Sequence, residues 1–175
     1  MNVADSFQES SQTRFSEKIG HNEARMSEMP YPAALDELIA FFESLPEGER
    51  RENLIDLAAQ ASKHAPKEGE LFELQDVRKD AECTDTVGVH VRRGEDGSLH
   101  FAISLGPKVQ TLTRALTTIL CRGLNGCSPE QVIDVPQDFV PRIIGAELVR
   151  LRSQTVYYVL NRMKQAARGL SAAAE

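Results

Sequence analysis

The stretch "TVGVHVRRGEDGSLHFAISL", residues 86–105, alternates in hydropathy on both sides of a glycine-bearing turn. Val87, Val89 and Val91 alternate with Gly88, His90 and Arg92. Leu99, Phe101, Ile103 and Leu105 alternate with His100, Ala102 and Ser104. A period of two places alternate side chains on one face of a strand, so the stretch predicts an antiparallel hairpin with one apolar face. Two strands alone are marginally stable, and the rest of the chain must cover that face. The opposite face, carrying His90 and His100, is expected to be solvated.

The cover follows at once. Leu112, Ala115, Leu116, Ile119, Leu120 and Gly123 form one stripe of a helix that ends at "GLNG". "CSPEQVIDV" predicts a short helix with Ser128 as N-cap, Pro129 at the first position and Gln131 placed for a capping box. "VPQDFVPRIIGAEL" is interrupted by proline and predicts short helical turns. A last helix is expected from about Arg152 to Arg168, its apolar stripe made of Val156, Val159, Leu160, Met163 and Ala167. Upstream, Leu35, Leu38, Ile39, Phe42 and Leu45 predict a helix stopped by "LPEG". Leu54, Leu57, Ala58 and Ala61 predict a second. The connection "KHAPKEGELFELQDVRKDAEC" is charged and irregular, with a candidate third strand near Val77. Helices, then a small antiparallel sheet, then helices make an α+β domain over residues 31–170, between a polar, aperiodic tail at 1–30 and a short tail at 171–175.

Charge and composition narrow the function. The 175 residues carry a formal net charge of −6, which argues against a nucleic-acid partner, since phosphate binding comes with a basic face. No apolar run approaches the roughly 20 residues that span a bilayer, and residues 1–30 lack a signal-peptide core, so a cytoplasmic protein is expected. Three cysteines, Cys83, Cys121 and Cys127, are an odd number and argue against a disulfide framework. No C-x-x-C pair is present, and these thiols with His90 and His100 do not assemble a zinc-like set, so no metal site is expected.

The order of parts resembles the SufE family, which accepts sulfur from cysteine desulfurases in iron–sulfur cluster biogenesis. The resemblance covers roughly residues 33–168. Its landmarks are "GCSPEQVI", similar to the family's Gly-x-Thr-Pro-Glu-Glu-Ile, and "LVRLRSQT", similar to Leu-Ser-Pro-Ser-Arg-Ser-Gln-Gly, with Leu148, Arg152, Ser153 and Gln154 matching. The family's sulfur-accepting cysteine precedes the first long strand, where Cys83 falls. The chain departs from the pattern around Cys83. Glu82-Cys83-Thr84 stands in place of Gly-Cys-Gln, Ser104-Leu105-Gly106-Pro107 in place of Gly-Asp-Ser, and Arg150 in place of proline, and there is no tryptophan.

The resemblance implies a SufE/IscU-like fold and a sulfur carrier on Cys83 that is not itself an enzyme. Its partners would be a SufS-like cysteine desulfurase and a SufBCD-like scaffold complex, with the protein a monomer or weak homodimer. Pyridoxal phosphate would belong to the desulfurase; no glycine-rich phosphate loop or Schiff-base lysine context is present, and no cofactor is expected here. Arg152 and Ser153 are the candidate partner-binding residues. The alternative is an interaction module that binds a desulfurase or scaffold without carrying sulfur.

Asp80, Glu82 and Asp85 surround Cys83 and oppose thiolate formation, while Arg78, Lys79 or Arg152 are placed to offset them. Cys121, in the covering helix, is expected to be buried, and Cys127, in a loop, to be exposed. The acidic stretch from Glu68 to Asp85 reads as a solvated loop or as a docking surface for a basic patch. Residues 1–28 show no apolar periodicity, so their deletion should leave the melting temperature within a degree or two, measured by thermal unfolding. A loss of several degrees would place the tail within the folded domain.

Overall fold

The computed structural model describes residues 30–81, 83–145 and 154–173. Helix α1 spans Ala33–Ser44 and α2 spans Glu47–Ala59, followed by a 3-10 turn at Ala61–His64. Strands β1 (Leu74–Arg78), β2 (Val87–Arg93) and β3 (Leu99–Leu105) come next. Helices α3 (Thr111–Leu124), α4 (Pro129–Ile133), α5 (Phe139–Ile144) and α6 (Gln154–Ala172) complete the chain. The fold is α+β, as the sequence predicts. The expected start of the last helix at Arg152 lies outside the described residues.

The hairpin forms in the register its alternation requires. The sheet is antiparallel with β2 in the centre and β1, the candidate strand near Val77, on its outer side. Val89 lies opposite Asp76 on one side and Ile103 on the other; Val91 lies opposite Leu74 and Phe101. Val87, Val89, Val91, Phe101 and Ile103 are buried with Leu116, Ile119 and Leu120 of α3 and with Val156, Val159, Leu160 and Met163 of α6.

Helix α3 is the axis of the molecule. Its apolar stripe and its other faces are covered together, so that Cys121, outside the stripe, is buried as well. On the far side, Thr118 donates its hydroxyl to the Leu57 carbonyl of α2 at 3.2 Å. Helix α1 packs against α3 at Gly123, where an added Cβ would lie 2.9 Å from Leu35 Cβ and 3.1 Å from its Cα. Helix α4 starts with the predicted capping box, Ser128 accepting from Gln131 N–H and the Gln131 side chain accepting from Ser128 N–H.

Two expectations are corrected. His90 is 6% exposed rather than solvated. Gly88, next but one on the same face, leaves space for the imidazole. There the ring pairs with Gln75 Oε1 at 3.1 Å and Ser104 Oγ at 3.0 Å, beside the Phe72 ring. Burial, reinforced by the Arg162 charge, holds the ring below its ordinary titration range. Cys127 is buried rather than exposed, because its loop pairs with the edge of β3. Leu99 N–H donates to the Cys127 carbonyl at 2.8 Å, and Gly126 N–H donates to Leu99 O at 2.9 Å. The Asn125 side chain continues the edge, accepting from Phe101 N–H and donating to Phe101 O.

Gly123→Ala should lower stability by about 1 kcal/mol in urea unfolding. The helix propensity gained is roughly 1 kcal/mol, and the clash with the α1 backbone costs more. An alanine variant more stable than the wild type would show that α1 gives way freely.

Candidate functional site

The loop between β1 and β2 is pinned on both sides of Cys83. On the upstream side, Asp80 takes an ion pair from Arg78 at 3.1 Å and another from Arg162 of α6 at 3.1 Å. On the downstream side, the Thr84 hydroxyl donates to Lys108 O at 2.9 Å, and the Asp85 carboxylate accepts from Lys108 N–H at 2.7 Å and from Thr86 N–H at 2.8 Å. Those backbone donors hold the Asp85 carboxyl below its usual range. The Lys108 turn is itself tied to α3, since the Arg114 guanidinium donates to Gly106 O and Val109 O.

Arg162 is the centre of this arrangement and is 2% exposed. Its Nε donates to Asp76 Oδ2 at 2.7 Å, and its Nη2 donates to Val87 O at 2.8 Å and to Asp76 O. One guanidinium thus joins the middle of β1, the loop at Asp80, the first residue of β2 and the last helix. Five fixed N–H donors suit such a task; a lysine's single ammonium cannot reach all of these acceptors. The sequence signal for it was a charged residue beside the apolar stripe of the last helix, with Asp76 on the core-facing side of β1. Neither was singled out by sequence alone.

Cys83 sits inside this frame, 6% exposed. Its N–H closes a turn onto Asp80 O at 3.2 Å, and its Sγ donates to Thr155 Oγ1 at 3.4 Å. The expected counter-charge to the acidic surroundings comes from Arg78 and, unforeseen, from Arg162, both of which pair with Asp80. Glu82, Arg152 and Ser153 lie outside the described residues.

The other two thiols are in different circumstances. Burial pushes Cys121 up to about 12 and raises Cys127 as well, so both remain thiols at neutral pH. Cys127 Sγ lies 3.7 Å from Gly123 O, within the helix that precedes it. Among the described residues no group of three His, Cys, Asp or Glu side chains is placed to hold a metal ion.

At the end of β1 away from the Cys83 loop, Glu68, Leu71 (85%) and Glu73 are exposed, and at the end near that loop Val77 (56%) is exposed. No described helix is long and apolar enough to cross a membrane.

The chain has relatives. A family described as SufE, Fe-S metabolism associated domain, matches residues 36–167. Among solved structures, a solution structure of a hypothetical protein from Thermus thermophilus is 25% identical, with a TM-score of 0.65 over 79% of this chain and 96% of that one. A comparison with curated proteins finds no match.

Replacing Arg162 with methionine should cost about 3 kcal/mol in urea unfolding, because it takes the donor from two strand carbonyls, Asp76 O and Val87 O, and leaves the part-buried Asp76 and Asp80 carboxylates with the exposed Arg78 alone. Stability within about 0.5 kcal/mol of the wild type would contradict the clamp.

Proposed function

The chain belongs to the SufE family, whose members are associated with iron–sulfur metabolism, and on that footing we propose that it accepts sulfur from a cysteine desulfurase on Cys83 and passes it toward cluster assembly. The observation that carries this reading is the placement of Cys83. Of the three cysteines, it alone lies in a loop between two strands, held by hydrogen bonds and ion pairs on either side of it rather than packed within or against α3.

The chemistry needs one sulfur atom. The Cys83 thiolate attacks the outer sulfur of the desulfurase persulfide. A new S–S bond forms on Cys83. The bond between the two sulfurs of the donor breaks, and the donor cysteine leaves as a thiolate, which takes up the proton Cys83 has lost. Two electrons move with the bond, and there is no net oxidation. Pyridoxal phosphate belongs to the desulfurase, and this chain contributes no cofactor and turns over no substrate of its own.

Since Cys83 is covered, the desulfurase must draw the sulfur outward while it docks. The acidic stretch before β1, with Glu68 and Glu73 exposed and Leu71 between them, offers a docking surface along the sheet to a partner with a basic patch. Arg152 and Ser153 are proposed as further contacts to the desulfurase. A scaffold of the SufBCD kind is the proposed recipient, the protein acting in the cytoplasm as a monomer or weak homodimer.

Cys83→Ser separates docking from transfer, because a serine hydroxyl is not ionised at neutral pH and cannot hold a persulfide. The variant should fold and bind the desulfurase, yet fail to stimulate alanine release from cysteine; Cys127→Ser should stimulate as the wild type does. Mass spectrometry of the wild type should find one added sulfur on Cys83. Full stimulation by Cys83→Ser would leave the protein as an interaction module that binds without carrying sulfur.

A further inference from the structure

Cys83 and Thr155 lie 72 positions apart in the chain, yet their side chains meet at 3.4 Å. The flanking anchors hold Asp80, Thr84 and Asp85; none of them touches the sulfur. Among the described residues, Thr155 Oγ1 is the one side-chain partner of Cys83 Sγ. Thr155 lies in α6, Gln154–Ala172 as described, whose register is set by Arg162 and by the buried Val156, Val159 and Leu160. Its hydroxyl is therefore carried on a rigid element, while the sulfur it meets is on a loop.

We propose that Thr155 is the residue that retains the Cys83 sulfur in its covered position, as a thiol before transfer and as a persulfide after it. The inference rests on Cys83 being the sulfur-bearing residue. A hydroxyl is both donor and acceptor, and this suits both states. The thiol donates its S–H to Oγ1, as observed. A persulfide anion has no proton to give, and the hydroxyl rotates to donate to it instead.

Retention predicts that losing the hydroxyl frees the sulfur without loosening the fold. Native-state alkylation with iodoacetamide, followed cysteine by cysteine with mass spectrometry, reads this directly. Thr155→Val keeps the shape and removes the hydrogen bond. It should raise the Cys83 labelling rate roughly two- to fivefold, the worth of one modest hydrogen bond. Thr155→Ser should return the rate to near the wild-type value. Cys121 and Cys127 should label at unchanged rates in every variant, since they report opening of the whole domain. If the valine variant does not fold, Thr155→Ala serves in its place.

An unchanged or slower Cys83 rate in the valine variant overturns retention. So does an equal acceleration at Cys127, and so does a serine variant that behaves like valine. The assay needs no sulfur donor. A wild-type protein that takes no sulfur on Cys83 therefore overturns the carrier reading separately, whatever the labelling rates show.

Discussion

A single buried guanidinium joins the last helix to β1, to the loop at Asp80 and to β2. Arg162 leaves the last helix and satisfies carboxylates at Asp76 and Asp80 and the carbonyls of Asp76 and Val87. Beside it, the last helix is tied to the sheet by the Arg93 guanidinium of β2, which donates to the Leu170 carbonyl, and by apolar contact, which is non-directional and tolerates sliding. With Arg162, the helix has one register against β1 and β2. Everything placed relative to that helix inherits this register, including the meeting of Thr155 with Cys83. A buried ion pair is a weak source of net stability but a strong source of geometric definition when every member is bonded. Here the definition falls on the loop that carries the thiol.

The acids around Cys83 take on a different meaning in three dimensions. Read along the chain, Asp80 and Asp85 are charges that oppose a thiolate. In the fold, each is occupied. Asp80 faces two guanidinium groups, and Asp85 caps the backbone of the Lys108 turn. Their role is to fix the loop, and their charge is largely answered where they sit. The exposed acidic character lies further upstream, at Glu68 and Glu73.

Local periodicity explains what the sequence made legible. The hairpin, the α3 stripe and the capping box at Ser128 depend on neighbours within a few residues, and each appears as read. What was missed depends on partners far along the chain. His90 is buried through Gln75, Ser104 and Phe72, and Cys127 through Leu99. Arg162 is bonded to residues more than 70 positions away, and Thr155 to one 72 away. No period announces such pairs. The nearest signals were a charge beside an apolar helix stripe and an aspartate facing inward from a strand.

The anchors on Thr84 and Asp85 also set a limit on distance. Consecutive α-carbons are about 3.8 Å apart, so while Thr84 stays on Lys108 the Cys83 α-carbon is confined to a sphere of that radius around its neighbour. Its largest excursion is then the diameter, ~7.6 Å, before the short swing of the side chain is added. The upstream limit is looser, since three links from Asp80 allow a radius of about 11 Å against about 3.8 Å downstream. A sulfur on so short a tether cannot be delivered into a deep cleft while the Lys108 contacts hold. In the transfer proposed for Cys83, a donor or acceptor would have either to project its own reactive atom into this small volume, or to break the Thr84 and Asp85 contacts and lengthen the tether toward β2.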